Sequence, residues 1–483
     1  MEKEAQKLKS ASELRALRGV SGQADGIIAE LFDPGTFVET GVYVKRTSEL
    51  VPTEGASEFE GVITGYGAID GRLVFAFVQD VDRCRGAVTA AHADKICALY
   101  DLAASSRAPI IGVFSSSGAV VLEGVDVLAG YGRIMKKCAS LKGVVPQVAI
   151  VDGICSGLSA TLCSMFDFII ANERDARLYI APPAILKAKF SVAEAGAVKP
   201  KVPIVAAVDL FAPDTSAAVS TTRSLLAYLP SSCYDGTICG MTGDDPNRST
   251  NIDVKSEDYD MRHVIAELAD NGEFFELQAD ASPEILTGFI TLNGRAVALV
   301  ANQPAVGGGL LTAGAAKKAA KLVSFAADYK IPLLTLVDCG GFEYAPDSEF
   351  APYTNQLAEL ALAYSSGNNA KVTITLGRSY GAPFTLLGSK ALGADIAFAL
   401  DSAKISIMPP ESAVEFVFDK EIKEADDPAA MRAKLLAGWS HVLSSPVAAA
   451  RSGAIDDIIT SDDLRRRAAA AFEMLAFKSG GKA

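Results

Sequence analysis

Apolar and polar residues follow two different periods along the first half of the chain. Short apolar runs bounded by Gly, Pro or polar residues are typical of buried strands, whereas apolar residues three or four positions apart are typical of helices. The runs predict strands at Leu73–Val78, Ile110–Phe114, Gln147–Val151 and Phe168–Ala171. Helices are predicted over residues 90–103, 124–140 and 160–165.

The second half shows the same order of elements. Strands are predicted at Ala296–Val300, Leu333–Val337, Val372–Leu376 and Asp395–Ala399, and helices over residues 313–328, 355–364 and 384–392. Alternating strands and helices imply an α/β fold with short parallel strands and crossover helices. Residues 230–260, rich in Ser, Asp, Gly and Asn, are typical of a linker.

The two halves also agree in sequence register. Three pairs of segments match: residues 31–39 with 268–276, 71–72 with 294–295, and 109–113 with 332–336. The last two pairs are each 223 residues apart. A period this long indicates a duplicated domain rather than a solenoid. Two similar domains can place two similar sites face to face, which suggests a two-substrate reaction.

Composition narrows the function further. The chain has 483 residues, of which 49% are hydrophobic, enough for two cores. A net charge of −13 argues against nucleic acid as a partner, because phosphate binding needs a basic face. The charged N-terminus and the lack of a long apolar run predict a cytoplasmic protein. The eight cysteines form no CxxC pair and the three histidines are far apart, so no metal site is predicted.

Small residues follow a buried strand at two matching points in each half. They are Ser117-Gly118-Ala119 and Ser156-Gly157-Leu158 in the first half, and Gly340-Gly341-Phe342 and Gly381-Ala382 in the second. Unpaired backbone N–H groups at such turns can stabilise negative charge on a carbonyl oxygen. The alternative is that these glycines only make tight turns and let helices pack on strands.

The chain resembles the carboxyltransferase subunits of biotin-dependent acyl-CoA carboxylases and their decarboxylase and transcarboxylase relatives. The resemblance covers nearly the whole chain. It rests on Asp33–Glu39, Gly61–Gly67, Gln79-Asp80, Glu123–Val125, Val145–Gln147, Leu225–Pro230, Leu292–Arg295, Asn302–Pro304, Ile331–Leu333, Val337-Asp338, Gly341-Phe342 and Tyr380-Gly381. Together these segments are specific, although none is specific alone.

The resemblance implies two tandem crotonase-like (ClpP/crotonase) domains. Residues 1–230 would form the domain that holds acyl-CoA, residues 231–260 a linker, and residues 261–483 the domain that holds biotin. The active site of the family forms where these domains meet across a subunit interface. The implied reaction moves CO2 between carboxybiotin and an acyl-CoA through an enolate, and it needs no side-chain nucleophile.

Site residues also follow from the resemblance. Backbone donors at Gly118, Ala119, Gly157 and Leu158 would serve the thioester, and those at Gly341, Phe342, Gly381 and Ala382 would serve biotin. Lys187 and Lys189 belong to the densest basic cluster and are candidates for the CoA phosphates, with a solvated loop as the alternative. Glu123 is interpreted as a first-turn carboxylate of the helix that follows it rather than as an acid or base.

The chain departs from the family pattern at three places. Ser115–Val120 replaces an Asp-Ser-Gly-Gly-Ala-Arg run, Leu158 replaces a common glycine, and Pro383 follows Ala382 where relatives have a residue with an N–H. We expect Gly381 and Ala382 to hold the biotin oxygen in a shifted register. A weakened or inactive biotin side is the alternative.

Partners are implied because the chain contains no Ala-Met-Lys-Met biotin attachment sequence. Biotin would arrive on a separate carrier protein, with a biotin carboxylase or a membrane decarboxylase subunit as a further partner. The chain itself would form a homo-oligomer, a dimer or a trimer of dimers, with a second carboxyltransferase chain as an option. Three alternatives remain: a sodium-pump-type decarboxylase alpha subunit, a biotin-independent hydratase or isomerase, and a non-catalytic scaffold paralogue. The acyl group is not predicted.

Overall fold

The structure is a computed structural model. It describes residues 10–18, 22–45, 58–181, 207–254, 256, 258–344 and 353–479. The chain divides into two compact units, residues 1–226 and 227–483.

The first unit alternates strands and helices after an initial helical segment. Its helices are α1 (Ala11–Arg18), α2 (Gln23–Leu31), α3 (Ala90–Ser106), α4 (Val125–Leu141), α5 (Leu158–Cys163) and α6 (Thr215–Leu226). Its strands are β1 (Val38–Thr40), β2 (Val62–Ile69), β3 (Arg72–Gln79), β4 (Ile110–Phe114), β5 (Gln147–Val151), β6 (Ile154–Ser156), β7 (Phe168–Asn172), β8 (Arg177–Tyr179) and β9 (Leu210–Ala212).

One main sheet organises the first unit, in the order β1-β2-β3-β4-β5-β7-β9. The pairs β1–β2 and β2–β3 are antiparallel, and the pairs from β3 onwards are parallel. Every residue of β4, β5 and β7 is buried. This explains their continuous apolar runs, since a parallel sheet is covered on both faces. β6 and β8 pair separately beside it.

The second unit contains a corresponding set of elements. Its helices are α7 (Met261–Leu268), α8 (Ala313–Asp328), α9 (Tyr353–Ser366), α10 (Ala382–Leu386), α11 (Pro410–Glu424), α12 (Pro428–Leu443), α13 (Pro446–Arg451) and α14 (Leu464–Met474). Its strands are β10 (Phe275–Leu277), β11 (Ile285–Leu292), β12 (Arg295–Asn302), β13 (Leu333–Cys339), β14 (Lys371–Tyr380), β15 (Ile396–Leu400), β16 (Lys404–Ser406) and β17 (Asp457–Ile459).

The second sheet has the same strand order and directions as the first, β10-β11-β12-β13-β14-β15-β17. Its first two pairs are antiparallel and the others parallel. One difference concerns β14, which continues to Tyr380 and pairs with β16. The repeat found in the sequence is therefore a repeat of topology as well.

The helix predicted over residues 384–392 is wrong in extent. The structure has the short helix α10, followed by a separate 3-10 turn at Lys390–Leu392. Gly388 lies between them with φ +69°, a conformation that an α-helix does not contain.

The segment 231–260 contains no helix or strand among its described residues. It is attached to the second unit. The Gly240 N–H donates to the Gly294 carbonyl at 2.7 Å, and the backbones of Cys239 and Arg295 form an isolated antiparallel β-bridge. A Cβ at Gly294 would lie 2.1 Å from the Gly240 carbonyl oxygen, so this contact requires glycine. Among the helices that the structure describes, none is long and apolar enough to cross a membrane.

Candidate functional site

The first turn with an unpaired amide follows β4. Gly118 has φ +105°, and its N–H donates to Ser116 Oγ at 3.1 Å. The Gly118 carbonyl accepts from the Val88 N–H at 2.8 Å, and the Val88 carbonyl accepts from the Val120 N–H at 2.9 Å. These bonds hold both sides of Ala119, whose own N–H has no hydrogen-bond partner among the described residues.

The second turn lies between β6 and α5. Gly157 precedes the helix with φ +59° and ψ −124°, and its N–H donates to the Tyr179 carbonyl at 3.0 Å. Leu158 is the first residue of α5, so its N–H has no partner inside the helix. No other acceptor for it occurs in the described ranges.

These two turns of the first unit are neighbours. The Ser116 N–H donates to the Ile154 carbonyl at 2.7 Å, which joins the loop after β4 to β6. A Cβ built on Gly118 would lie 3.6 Å from Ser156 Oγ. The unpaired amides of Ala119 and Leu158 therefore lie on adjacent segments, and both residues are at least partly exposed.

The second unit repeats the first of these turns. The Leu311 N–H donates to the Gly341 carbonyl at 3.0 Å, and the Glu343 N–H donates to the Leu311 carbonyl at 3.4 Å. Gly341 has φ +135°. Phe342 occupies the position of Ala119, and within the part of the chain that the structure covers its N–H has no acceptor.

The second unit also repeats the other turn. Gly381, with φ +68°, precedes α10 and donates its N–H to the Ser406 carbonyl at 3.0 Å. Ala382 is the first helical residue, and the described segments offer its N–H no acceptor. Pro383 follows as the second helical residue, so its missing N–H leaves the Ala382 amide intact. Cys339 pairs with Ser379, so the two turns of this unit also follow adjacent strands.

The hydrogen bonds narrow the predicted set of donors. The N–H groups of Gly118, Gly157 and Gly381 are already paired within the chain. Of the other five, Gly341 is buried, and the partly exposed amides without an acceptor among the described residues are those of Ala119, Leu158, Phe342 and Ala382. The roles of all eight predicted residues stay predictions. Lys187 and Lys189, the other predicted site residues, lie outside the described residues.

A pocket of about 490 Å³ opens beside the second turn of the second unit. Gly381 and Ala382 line it together with Phe384, Ile405 and Ile407. Its walls are mostly apolar, and Thr385, Ser406 and Ser452 are the polar residues among those that line it. This combination is typical of small-molecule sites.

An ion pair that the sequence did not predict lies at the ends of β13 and β14. Arg378 Nε donates to Asp338 Oδ1 at 2.9 Å, and the Arg378 N–H donates to the same oxygen at 3.0 Å. Asp338 is 2% exposed. The pair fixes the strand ends from which the Phe342 and Ala382 turns begin. The repeat could not predict this ion pair, because the residue of the first unit that corresponds to Asp338 is Ser115.

Two groups that suggest acid–base chemistry are occupied otherwise. Glu123 accepts from the Ala90 N–H at 2.6 Å and so caps α3, which precedes it; its assignment to the following helix was wrong. His92 is fully buried, and burial lowers the pKa of its imidazole to about 3. His92 is therefore neutral.

The family described as "Carboxyl transferase domain" matches residues 26–482. The chain is 34% identical over 471 residues to the methylmalonyl-CoA decarboxylase subunit alpha of Propionigenium modestum, covering 93% of this chain and 89% of that protein. It is 34% identical over 458 residues to the methylmalonyl-CoA carboxyltransferase 12S subunit of Propionibacterium freudenreichii subsp. shermanii, covering 93% and 87%. It is 33% identical over 460 residues to the propionyl-CoA carboxylase beta chain of Roseobacter denitrificans, covering 93% and 89%.

The fold agrees with a solved relative. The transcarboxylase 12S structure with methylmalonyl-coenzyme A and methylmalonic acid bound superimposes with a TM-score of 0.93 at 32% identity, covering 99% of this chain and 98% of that one. The prediction of two crotonase-like α/β domains is confirmed at the level of fold class. The chain belongs to the carboxyl transferase domain family.

Proposed function

We propose that this chain is a carboxyltransferase subunit that moves CO2 between biotin on a separate carrier protein and a small acyl-CoA. The observation that carries the proposal is the repeated pair of amides that have no acceptor among the described residues, Ala119 with Leu158 and Phe342 with Ala382. Ala119, Phe342 and Ala382 follow parallel strands of the two main sheets, and Leu158 follows β6, which pairs in parallel with β8. A reaction with two carbonyl oxygens, one on each substrate, needs two such pairs.

In the first unit, the Ala119 and Leu158 amides bind the thioester oxygen. Loss of the α-proton or of CO2 from an acyl-CoA places negative charge on this oxygen, and the two N–H groups are preorganised to receive it. Removing one donor of this kind typically costs about 3 kcal/mol of transition-state stabilisation. Both α5 and α10 are too short to add a large helix dipole, so the local N–H groups supply most of the effect.

In the second unit, the residues fit a biotin ring. The apolar walls around Phe384 and Ile405 suit its bicyclic body, and the Phe342 and Ala382 amides are donors for its ureido oxygen. When bound, biotin supplies the carrier of CO2 and the nitrogen that exchanges a proton with the acyl-CoA. The Asp338–Arg378 pair keeps the strand ends in register so that the donors are presented together.

The occupied side chains disfavour a hydratase or isomerase. Such chemistry needs a carboxylate or imidazole over the thioester. Glu123, the acid nearest to the first turn in sequence, is used as a helix cap, and His92 is a buried neutral group. A mechanism that uses only backbone donors requires neither.

The relatives support the choice of partners and substrates. Their names describe subunits of methylmalonyl-CoA decarboxylase, methylmalonyl-CoA carboxyltransferase and propionyl-CoA carboxylase, and the 12S structure is described as a hexamer assembly. We infer that this chain forms a homo-oligomer in the cytoplasm and works with a biotin carrier and either a biotin carboxylase or a membrane decarboxylase subunit. Methylmalonyl-CoA and propionyl-CoA are the first substrates to test.

The test is decarboxylation of methylmalonyl-CoA by the purified chain with free biotin added. Malonyl-CoA and glutaconyl-CoA are assayed in parallel, and the products are identified by mass spectrometry. We expect biotin-dependent formation of propionyl-CoA. Turnover that does not depend on biotin would indicate a different enzyme class. No turnover, together with copurification of a second carboxyltransferase chain, would support the scaffold alternative.

A further inference from the structure

One buried hydrogen bond connects the supports of both amides in the first unit. The hydroxyl oxygen of Tyr131, in α4, lies 2.7 Å from Ser159 Oγ, in α5. Tyr131 is 2% exposed and Ser159 1% exposed. A hydrogen bond between buried hydroxyls is costly to break, because the group left behind has no water to replace its partner.

Ser159 directly follows the donor Leu158. The residue before the helix, Gly157, has no side chain that could cap it, so neighbouring elements must fix the orientation of α5. The bond from Tyr131 to Ser159 is one such anchor, one residue away from the Leu158 amide.

The ring of Tyr131 supports the other donor. Tyr131 packs with Val88 and Val127 in a small buried cluster, and Ala119 packs against this cluster. Val88 is also the residue whose backbone holds both sides of the Ala119 turn. Tyr131 therefore reaches both turns. Its ring belongs to the cluster against which Ala119 packs, and its hydroxyl binds Ser159, the residue after Leu158.

We propose that Tyr131 and Ser159 are positioning residues that set the distance between the Ala119 and Leu158 amides. The inference rests on the proposed function, in which both amides bind one enolate oxygen. Two donors act together only when each lies about 2.7–3.1 Å from that oxygen. A displacement of about 1 Å can cost roughly 100-fold in rate. Burial raises the pKa of Tyr131 to about 12, so its hydroxyl is neutral and the anchor does not change near neutral pH.

The test compares the binding of two ligands to the full-length protein by calorimetry. 2-Nitropropionyl-CoA, as its nitronate, carries the charge of an enolate, whereas propionyl-CoA carries a neutral carbonyl. We expect Tyr131→Phe and Ser159→Ala each to weaken nitronate binding about tenfold, a part of the loss that a full 1 Å displacement can cause. Propionyl-CoA binding should change much less. The double variant should bind no more weakly than the single variants, because both remove the same bond.

Tyr100→Phe is the matched control. It removes an equally buried phenol hydroxyl, which donates to Gln147 Oε1 at 3.0 Å in the core of the same unit. This variant should keep the wild-type preference for the nitronate. Ser159→Thr, which keeps a hydroxyl group, should retain more of that preference than Ser159→Ala. Wild-type preference retained in Tyr131→Phe would overturn this inference alone. A wild-type protein with no preference for the nitronate would overturn the proposed function and the inference with it.

Discussion

Lys95 and Lys318 are equivalent residues of the two units, 223 positions apart, and both are buried ammonium groups bound to backbone carbonyls. Lys95 Nζ donates to the Val62 carbonyl at 2.6 Å, and Lys318 Nζ donates to the Ile285 carbonyl at 2.8 Å. Val62 and Ile285 are also 223 positions apart. The repeat therefore preserves a contact between the first crossover helix of each unit and the strand beneath it.

This contact predicts a pH dependence of stability. Burial lowers the pKa of Lys318 from 10.5 to about 8. Between these values the unfolded chain binds more protons than the folded chain, so the free energy of unfolding rises with pH. We expect Lys318 to contribute up to about 1.4 kcal/mol per pH unit in this window. Lys318→Met should lose that contribution.

The measurement is urea unfolding at pH 8 and pH 9.5, followed by the fluorescence of Trp439, which lies in the same unit. Lys317→Met is the control, because Lys317 is the exposed neighbour on the same helix. Equal pH slopes in the wild type and Lys318→Met would contradict the prediction.

Removal of the Leu158 N–H should abolish most of the activity. Leu158→Pro removes this N–H at the first position of α5, where a helix tolerates proline, and replaces a partly exposed side chain. We expect kcat for methylmalonyl-CoA decarboxylation to fall by about 100-fold to 1,000-fold, with little change in fold. Steady-state kinetics and circular dichroism check both parts.

Val125→Pro serves as the control for that substitution. Val125 is the first residue of α4 and is 76% exposed, so proline there also removes a helix-terminal amide. A comparable loss of kcat in both variants would show that proline acts through the fold and not through the donor.

Two glycine substitutions should have opposite effects. Gly157→Ala places a side chain at φ +59° and ψ −124°, and we expect a loss of about 1–3 kcal/mol in stability together with reduced activity. Gly132→Ala lies inside α4, where an added Cβ meets nothing within 4 Å, and it should stabilise by about 0.5–1 kcal/mol. Thermal unfolding of both variants tests the pair. If Gly157→Ala leaves the thermal stability unchanged, position 157 does not require glycine for its backbone conformation.

A repeated arginine clamp should differ in strength between the units. Arg465 is 0% exposed and donates to Asp270 Oδ1 at 2.6 Å, whereas Arg223 binds Asp33 at 2.9 Å with both side chains about one-quarter exposed. Arg465→Ala should cost about 3–5 kcal/mol, because it leaves a buried carboxylate without its partner. Arg223→Ala should cost about 1 kcal/mol or less. Urea unfolding by circular dichroism measures both, and equal losses would contradict this assignment.

The order of strands and helices could be predicted because the same pattern of apolar and polar residues occurs in both halves of the chain. Buried parallel strands must be apolar on both faces, so Ile110–Phe114 and Leu333–Val337 are visible as continuous runs. The family resemblance then indicated the two crotonase-like domains. The helix predicted to continue to Leu392 was wrong because the left-handed conformation at Gly388 depends on its surroundings, not on the periodicity around it.

The sequence by itself determined the duplication, the α/β class, the family and the positions of the four turns. Only the tertiary structure decided which amide in each turn is available, because partners such as Ser116, Tyr179 and Ser406 reach the glycines from other strands or from within the loop. The same holds for Tyr131 and Ser159, which are 28 residues apart and meet only when α4 and α5 pack together. Local patterns encode backbone conformation, but hydrogen-bond pairing depends on contacts between segments distant in the chain.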